Sequence, residues 1–162
     1  MRLSQGVEWG LHCCTLLALV PPAKTVSAAR LAEFHDVPPA YLAKHLQALA
    51  QAGIVAADPG PRGGYRLRRP ADEISLLDVV LAVDGDQPAF RCEEIRQRGP
   101  AACGPEAYRR ACGIALAMAR AELAWRDELK RTSVADLVAD MAAHIHPDAA
   151  IKGAAWLEDV VR

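Results

Sequence analysis

Apolar residues recur every three or four positions through the first third of the chain, and this spacing predicts short amphipathic helices. One helix is predicted after Ser4 as far as residue 20, a second over 28–35 and a third over 40–52. Ser4 has a side chain suited to an N-cap, and proline or glycine follows the first and third runs. Because only residues 36–38 separate the second and third helices, the pattern is typical of a helix-turn-helix.

The third helix is predicted to have an apolar face and a polar face. Its inward stripe consists of Tyr41, Leu42, Leu46 and Leu49. Lys44, His45 and Gln47 are then predicted to face away from the core. In the second helix, Leu31 and Phe34 are predicted to point inward. The polar face of the third helix is therefore the candidate surface for a ligand.

Residues 54–56 and 65–67 are short strand-like runs on either side of a segment rich in Gly and Pro at 59–64. This pattern predicts a β-hairpin, the wing of a winged helix. Arg62 and Arg66 lie on the hairpin, where guanidinium groups could contact DNA phosphates or reach a minor groove. The alternative is a solvated basic hairpin that makes no DNA contact.

The second half of the chain is predicted to contain helices and a long loop. Ser75 precedes a short predicted helix over 76–83, and a loop rich in Gly, Pro and Arg follows as far as about residue 105. A long helix is predicted over 107–132, and Ser133 is the predicted cap of the next one. The tail beyond residue 145 is predicted to be irregular or weakly helical. The expected fold class is mainly α with a small β-hairpin: a winged helix-turn-helix plus a long dimerisation helix.

Composition and charge narrow the functional classes. Residues 1–70 hold 8 basic and 4 acidic side chains, a net charge of +4, whereas residues 71–162 hold 11 and 16, a net charge of −5. A basic N-terminal part agrees with a nucleic-acid-binding face, although the difference is small. The sequence contains no export signal and no apolar run of about 18 residues, so we expect a cytoplasmic protein without a membrane span. No nucleophile–base arrangement or phosphate loop indicates an enzyme.

Three motifs follow one another in a fixed order and spacing. They are Tyr41-Leu42-Ala43-Lys44, Gly63-Gly64-Tyr65-Arg66-Leu67 and Ile74-Ser75-Leu76-Leu77-Asp78-Val79-Val80. Together they resemble the winged-helix repressor family of IscR, NsrR and RsrR, over residues 1–135. The resemblance implies a homodimer whose long helices pair, with the recognition helices in successive major grooves of a double-stranded DNA operator and the wings toward the minor groove. The DNA contacts that we predict on this basis are Lys44, Gln47, Arg62 and Arg66.

Some members of that family hold an iron-sulfur cluster and others use no metal. The chain is most similar to the RsrR-like branch, in which two cysteines of one subunit and a glutamate and a histidine of the other hold a [2Fe-2S] cluster. The resemblance carries these roles to Cys92, Cys112, Glu8 and His35. Nitrogen ligands raise the reduction potential of such a cluster, which suits a sensor. The expectation is a redox-responsive regulator with a DNA-binding domain over 1–70 and a cluster-binding and helical dimerisation region over 71–162.

Alternatives remain open at each of these residues. Glu8 is also explained as an exposed helix residue, His35 as a cap at a helix C-terminus, and Cys92 and Cys112 as free surface thiols. Cys103 lies in the same loop, and three thiolates with a carboxylate would resemble NsrR-like nitric oxide sensors with a [4Fe-4S] cluster. A metal-free winged-helix regulator, or a thiol switch at Cys103, is the remaining alternative.

Overall fold

The computed structural model describes residues 3–60 and 63–160, so Arg62 lies outside the described residues. This part of the chain forms seven α-helices and one two-stranded hairpin. The helices are α1 (Gln5–Ala18), α2 (Ala28–Phe34), α3 (Pro39–Gln51), α4 (Leu76–Asp84), α5 (Gly113–Arg131), α6 (Val134–His144) and α7 (Pro147–Val160), and the strands are β1 (Val55–Asp58) and β2 (Gly64–Leu67). The expected fold class, mainly α with a small β-hairpin, is confirmed. No helix among these residues is long and apolar enough to cross a lipid bilayer.

Helices α1, α2 and α3 form where the apolar spacing predicts them. Ser27 caps α2, because its hydroxyl accepts a hydrogen bond of 3.3 Å from the backbone N–H of Arg30. Ser4 occupies the N-cap position of α1 but makes no capping bond. Its hydroxyl donates instead to Asp84 at 2.5 Å, which links the start of α1 to the end of α4. Between α2 and α3, Asp36 turns the chain with a left-handed φ of 48°.

One buried apolar cluster joins the winged-helix part to the second half of the chain. From α3, Leu42 and Leu46 enter it with no solvent exposure, and Ile74 and Val134 belong to the same cluster. Each fully buried side chain of this size stabilises the fold by roughly 1.5–3 kcal/mol. The core therefore continues across the boundary predicted after residue 70, and the division at that point stays a prediction about function.

Two side chains that were predicted to point inward lie at the surface. Tyr41 is 65% exposed and Phe34 is 38% exposed. On α3, the buried leucines make the contact with the core, and the side chain of Tyr41 lies outside that contact. Phe34 packs instead on the outside of α2 against Trp156 of α7, with the ring centroids 4.6 Å apart. The predictions for Tyr41 and Phe34 are wrong.

The C-terminal half differs from the prediction at the start of its long helix. Helix α5 begins at Gly113 rather than near residue 107, and Pro105–Tyr108 forms an isolated 3-10 turn. Of the two alternatives for the tail beyond residue 145, the helical one is observed, because Trp156 and Leu157 of α7 contact apolar partners at the edge of the core. The cap at Ser133 is confirmed, with a hydroxyl that accepts the backbone N–H of Asp136 at 3.1 Å.

Candidate functional site

The outer face of α3 presents the predicted recognition residues. Lys44 and Gln47 are exposed, while Leu42 and Leu46 on the opposite face are buried. The turn before α3 is held by the N–H of Val37, which donates to the carbonyl oxygen of Ala32 at 3.0 Å. Helix α3 thus lies on a rigid support with two polar side chains free to contact a ligand.

Of the two arginines predicted to contact DNA from the wing, Arg66 is among the residues that the structure describes. Strands β1 and β2 are antiparallel, and Arg66 forms an ion pair of 3.4 Å with Asp58. Gly64 lets β2 approach the segment before α2, since a Cβ there would lie 2.6 Å from the backbone carbonyl of Val26. Arg66 lies in the hairpin, as predicted, and its guanidinium group is paired with the carboxylate of Asp58. Arg62, the other predicted contact of the wing, lies outside the described residues.

The loop before α5 brings the cysteines Cys92 and Cys112 to one arginine. The pKa of Arg96 is raised mainly by its hydrogen bond and ion pair with the carboxylate of Glu94, and Cys112 and Cys92, if deprotonated, are near enough to raise it further. The guanidinium of Arg96 also donates to the carbonyl oxygen of Arg110 at 3.2 Å. Residues 92 and 112, twenty positions apart in sequence, are therefore neighbours of the same positive charge.

Cys112 occupies the N-cap position of α5. The backbone N–H groups of Ala115 and Ile114 at the start of α5 lower the pKa of its thiol, and the positive charge of Arg96 lowers it further. A thiol with a lowered pKa is more readily deprotonated, and the thiolate is the form that binds metals. Cys112 is thus the cysteine of the loop best prepared to be a ligand.

Cys103 is exposed and has different neighbours. Its backbone N–H donates to the hydroxyl of Tyr108 at 2.7 Å, and that hydroxyl donates to the carbonyl oxygen of Arg96 at 2.8 Å. The contact of its sulfur is a 3.6 Å approach to the carbonyl oxygen of Ala101. These bonds order the loop around Cys103 and leave the thiol accessible.

Glu8 lies on the outer face of α1 together with a histidine that the sequence analysis did not select. Both Glu8 and His12 are exposed, and they line one open cavity of about 560 Å³ with Met141 of α6. Residues four apart on a helix lie on the same face. The spacing of Glu8 and His12 was the sequence signal for this pair, and the tertiary fold places them beside the same opening.

His35 lies next to this pair but is half-buried at the end of α2. Its ring centroid is 5.5 Å from that of His12. Burial lowers the pKa of His35, and the charge of His12 lowers it further, against a backbone hydrogen bond to His12 that raises it. The Nε2 atom of His35 is buried without a hydrogen-bond partner among the described residues. His35 thus has an unsatisfied nitrogen in a position that favours the neutral imidazole.

The predicted ligands therefore form two separate groups in one chain. Cys92 and Cys112 share the surroundings of Arg96, whereas Glu8 belongs with the histidines on α1 and α2. Among residues 3–60 and 63–160, no three His, Cys, Asp or Glu side chains lie close enough to hold a metal ion together.

Comparison with known families connects this arrangement to gene regulation. The model of the Rrf2 family, described as "Iron-dependent Transcriptional regulator", matches residues 3–140. The chain belongs to the Rrf2 family. Proteins of this family are transcriptional regulators rather than enzymes. Helix α7 lies beyond the matched residues.

Individual relatives of this Rrf2 protein agree with the assignment. YffB of Lactococcus lactis subsp. lactis, a predicted HTH-type transcriptional regulator, is 34% identical over 97 residues, which are 60% of this chain and 62% of YffB. The chain thus spans less than two thirds of that relative. CymR, the global cysteine regulator of B. subtilis, superposes with a TM-score of 0.65 at 22% identity over 86% of this chain and 97% of CymR. IscR of T. potens gives a TM-score of 0.66 at 18% identity, over 90% and 93%. At these identities the two structures support the fold alone.

Proposed function

We propose that this Rrf2 protein is a redox-responsive regulator that binds DNA in the cytoplasm as a homodimer and senses through a [2Fe-2S] cluster, as in the RsrR-like branch. The observation that carries the proposal is the separation of the candidate ligands into two groups. Cys92 and Cys112 lie in the loop before α5, and Glu8 lies with His12 and His35 on the helix-turn-helix part. Each group supplies half of a four-ligand site, so two subunits complete it.

The face of α3 and the wing support DNA binding. Helix α3 carries Lys44 and no acidic residue, so phosphates approach it without repulsion from its own side chains. Lys44 and Gln47 are both exposed on that face. Arg62 and Arg66 are assigned to the wing contact, where guanidinium groups pair with phosphates or enter a minor groove.

Helix α5 supports the homodimer. Its 19 residues include none that is buried. Four large apolar side chains on it are at least 41% exposed: Ile114, Leu116, Met118 and Leu123. Ile114 and Met118 share one side of α5 and Leu116 and Leu123 the opposite side, and exposed apolar surface of this extent is typical of a protein–protein interface. We assign it to the same helix of a second copy of the chain, which would bring the loop of one subunit near α1 of the other.

The chemistry of the donors fits an iron-sulfur cluster. Cys112 is prepared for deprotonation by the start of α5, and Arg96 offsets the negative charge that two thiolates would add. Mixed thiolate, carboxylate and imidazole ligation is compatible with iron, and a bound [2Fe-2S] cluster would supply one-electron redox chemistry.

The imidazole ligand has two candidates. The sequence resemblance assigns it to His35. Exposure favours His12, which lies one turn from Glu8 and lines the same cavity. The Nε2 atom of His35 is buried, and its ring lies beside the ring of His12. This position suits a residue that orients a ligand without binding the metal itself. We therefore propose Glu8 and His12 as the exposed pair, with His35 as the neighbour that orients His12.

Two other functions are each favoured by one observation. Cys103 is exposed in the same loop as Cys92 and Cys112, so three thiolates with a carboxylate could hold a [4Fe-4S] cluster, as in nitric oxide sensors of the NsrR type. The similarity in fold to CymR, named as the global cysteine regulator of B. subtilis, favours a cysteine regulator, which would fall under the metal-free winged-helix alternative.

Native mass spectrometry of anaerobically purified protein, combined with visible absorption, tests the proposal. We expect a dimer with two irons and two sulfides per site. Cys92→Ala and Cys112→Ala should each lose them and remain folded dimers, while Cys103→Ala should keep them. Four irons and four sulfides would support the three-cysteine alternative, and a colourless dimer would support the metal-free one.

A second pair of variants distinguishes the histidines. We expect His12→Ala to lose the cluster, and His35→Ala to keep its iron but with a shifted absorption spectrum, because a group behind a ligand tunes the metal without holding it. Loss of iron in His35→Ala with full retention in His12→Ala would return the ligand role to His35.

A further inference from the structure

Helix α1 has two opposite faces that meet different parts of the molecule. Glu8 and His12 point outward. Gly6 and Gly10 lie on the buried face, because a shift of two residues turns a helix by roughly 200°. A Cβ added at Gly10 would lie 3.3 Å from Val79 of α4 and 3.8 Å from Leu49 of α3. The glycines thus allow α1 to pack closely on the helices behind it.

His45 of α3 fills the space that Gly6 leaves open. A Cβ at Gly6 would lie 2.7 Å from Nε2 of the His45 ring and closer still to Nδ1 and Cε1. The same ring meets the edge of Trp9, with centroids 5.9 Å apart and planes at 79°. The apolar spacing of α3 predicted an outward-facing His45, and its half-buried position against α1 corrects that prediction.

We propose that His45 is a positioning residue for DNA binding: its ring, seated on Gly6, sets the distance between α1 and the recognition helix α3. His45 lies next to Lys44 and two positions before Gln47. Displacement of its ring from Gly6 would therefore move the residues that face DNA. The link to sensing rests on the proposed function. Glu8 and His12, the proposed cluster ligands, are on the same helix as Gly6. A movement of α1 is then transmitted to α3 through this contact.

A double-mutant cycle on the full chain without cluster tests the contact itself. The probe is a duplex selected by the native protein from a random DNA pool. We expect Gly6→Ala to weaken binding about tenfold in the native background, because the new methyl group displaces the ring, and less than about twofold in His45→Ala, where the ring is gone. The salt slope should fall by at most about one, because a displaced α3 moves Lys44 away from its phosphate contact.

Lys44→Ala is the matched control on the same helix. We expect it to lower the salt slope by about one and to be less than additive with Gly6→Ala, because both variants weaken the same phosphate contact. Circular dichroism establishes that every variant is folded before binding is measured. Equal effects of Gly6→Ala with and without the His45 ring, or full additivity of Gly6→Ala with Lys44→Ala, would overturn the proposal.

Because this cycle uses the chain without cluster, it decides the role of His45 even if the proposed cluster is absent. The link to sensing is tested separately in loaded protein. There we expect the ratio of affinities between oxidised and reduced forms to approach one in His45→Ala while the cluster absorption is unchanged. A ratio equal to that of the native chain would refute transmission through His45.

Discussion

The winged-helix part and the loop over 86–112 use the same residue type in opposite ways. Cys13 and Cys14 in α1 have no solvent exposure, and burial raises the pKa of each thiol to about 12. Cys112, at the start of α5, has a lowered pKa because backbone N–H groups face its sulfur. The comparison teaches that position, rather than cysteine content, separates a small core residue from a candidate ligand.

The two regions also differ in what holds them together. Leu42, Leu46 and Leu49 of α3 are fully buried, whereas none of the residues from 86 to 112 is buried and Ile95 is 69% exposed. The helical part has an apolar core that resists unfolding, while the loop relies on exposed polar bonds around Arg96. Substitutions in the core should therefore lower the free energy of unfolding, and substitutions in the loop should change the reactivity of its thiols.

The largest effect on stability is expected in the core. Leu46→Ala should lower the free energy of unfolding by about 2–5 kcal/mol, because it leaves a cavity among fully buried side chains. Urea denaturation followed by circular dichroism measures it. Tyr41→Ala, on the exposed side of α3, is the control and should stay within about 0.5 kcal/mol of the native chain. Similar losses in both variants would contradict the observed orientation of α3.

A smaller effect is expected where α7 meets α2. Trp156 packs against Phe34, lies under the guanidinium of Arg30 at 5.4 Å and is half-buried. Trp156→Ala should therefore cost roughly 1–3 kcal/mol in the same denaturation assay. Ile151→Ala on the same helix is the control, because Ile151 is 68% exposed. Equal stability of Trp156→Ala and the native chain would show that α7 does not support the helix-turn-helix.

The loop should respond to pH rather than to denaturant. In the protein without cluster, a lowered pKa means that the Cys112 thiolate persists to lower pH than an ordinary thiolate, so its alkylation should reach half its maximal rate below the usual thiol midpoint. Arg96→Ala removes a positive charge and should move that midpoint upward. Mass spectrometry of alkylated peptides measures both, with buried Cys13 as an unreactive internal control. An unchanged midpoint in Arg96→Ala would remove this arginine from the site.

The smallest expected change concerns a single phosphate contact. Lys44→Ala should weaken duplex binding several-fold and lower the salt slope by about one, because one counterion-releasing contact is lost. Fluorescence anisotropy at a series of salt concentrations measures the slope. Lys24→Ala, a lysine before α2, is the comparison. If both variants lower the slope equally, the contact is not specific to α3.

Much of the fold could be predicted because the relevant signals are local. Helices α1 to α4, the hairpin and the cap at Ser133 follow from apolar spacing, capping residues and turn residues within a few positions. The features that local signals could not decide have a common cause. Tyr41, Phe34 and α7 depend on which surface another segment covers, and the Ser4 hydroxyl binds Asp84 across 80 positions rather than capping its own helix.

By itself, the sequence determined the winged-helix architecture, the outer position of Lys44 and Gln47 on α3, and the supply of cysteine, histidine and carboxylate donors. Only the tertiary structure decided how those donors are grouped: Cys92 and Cys112 around Arg96, and Glu8 beside His12 with His35 behind it. It also decided that the ring of His45 rests on Gly6. The physical reason is that spacing along one helix fixes which residues share a face, whereas the neighbour of that face depends on how distant segments pack.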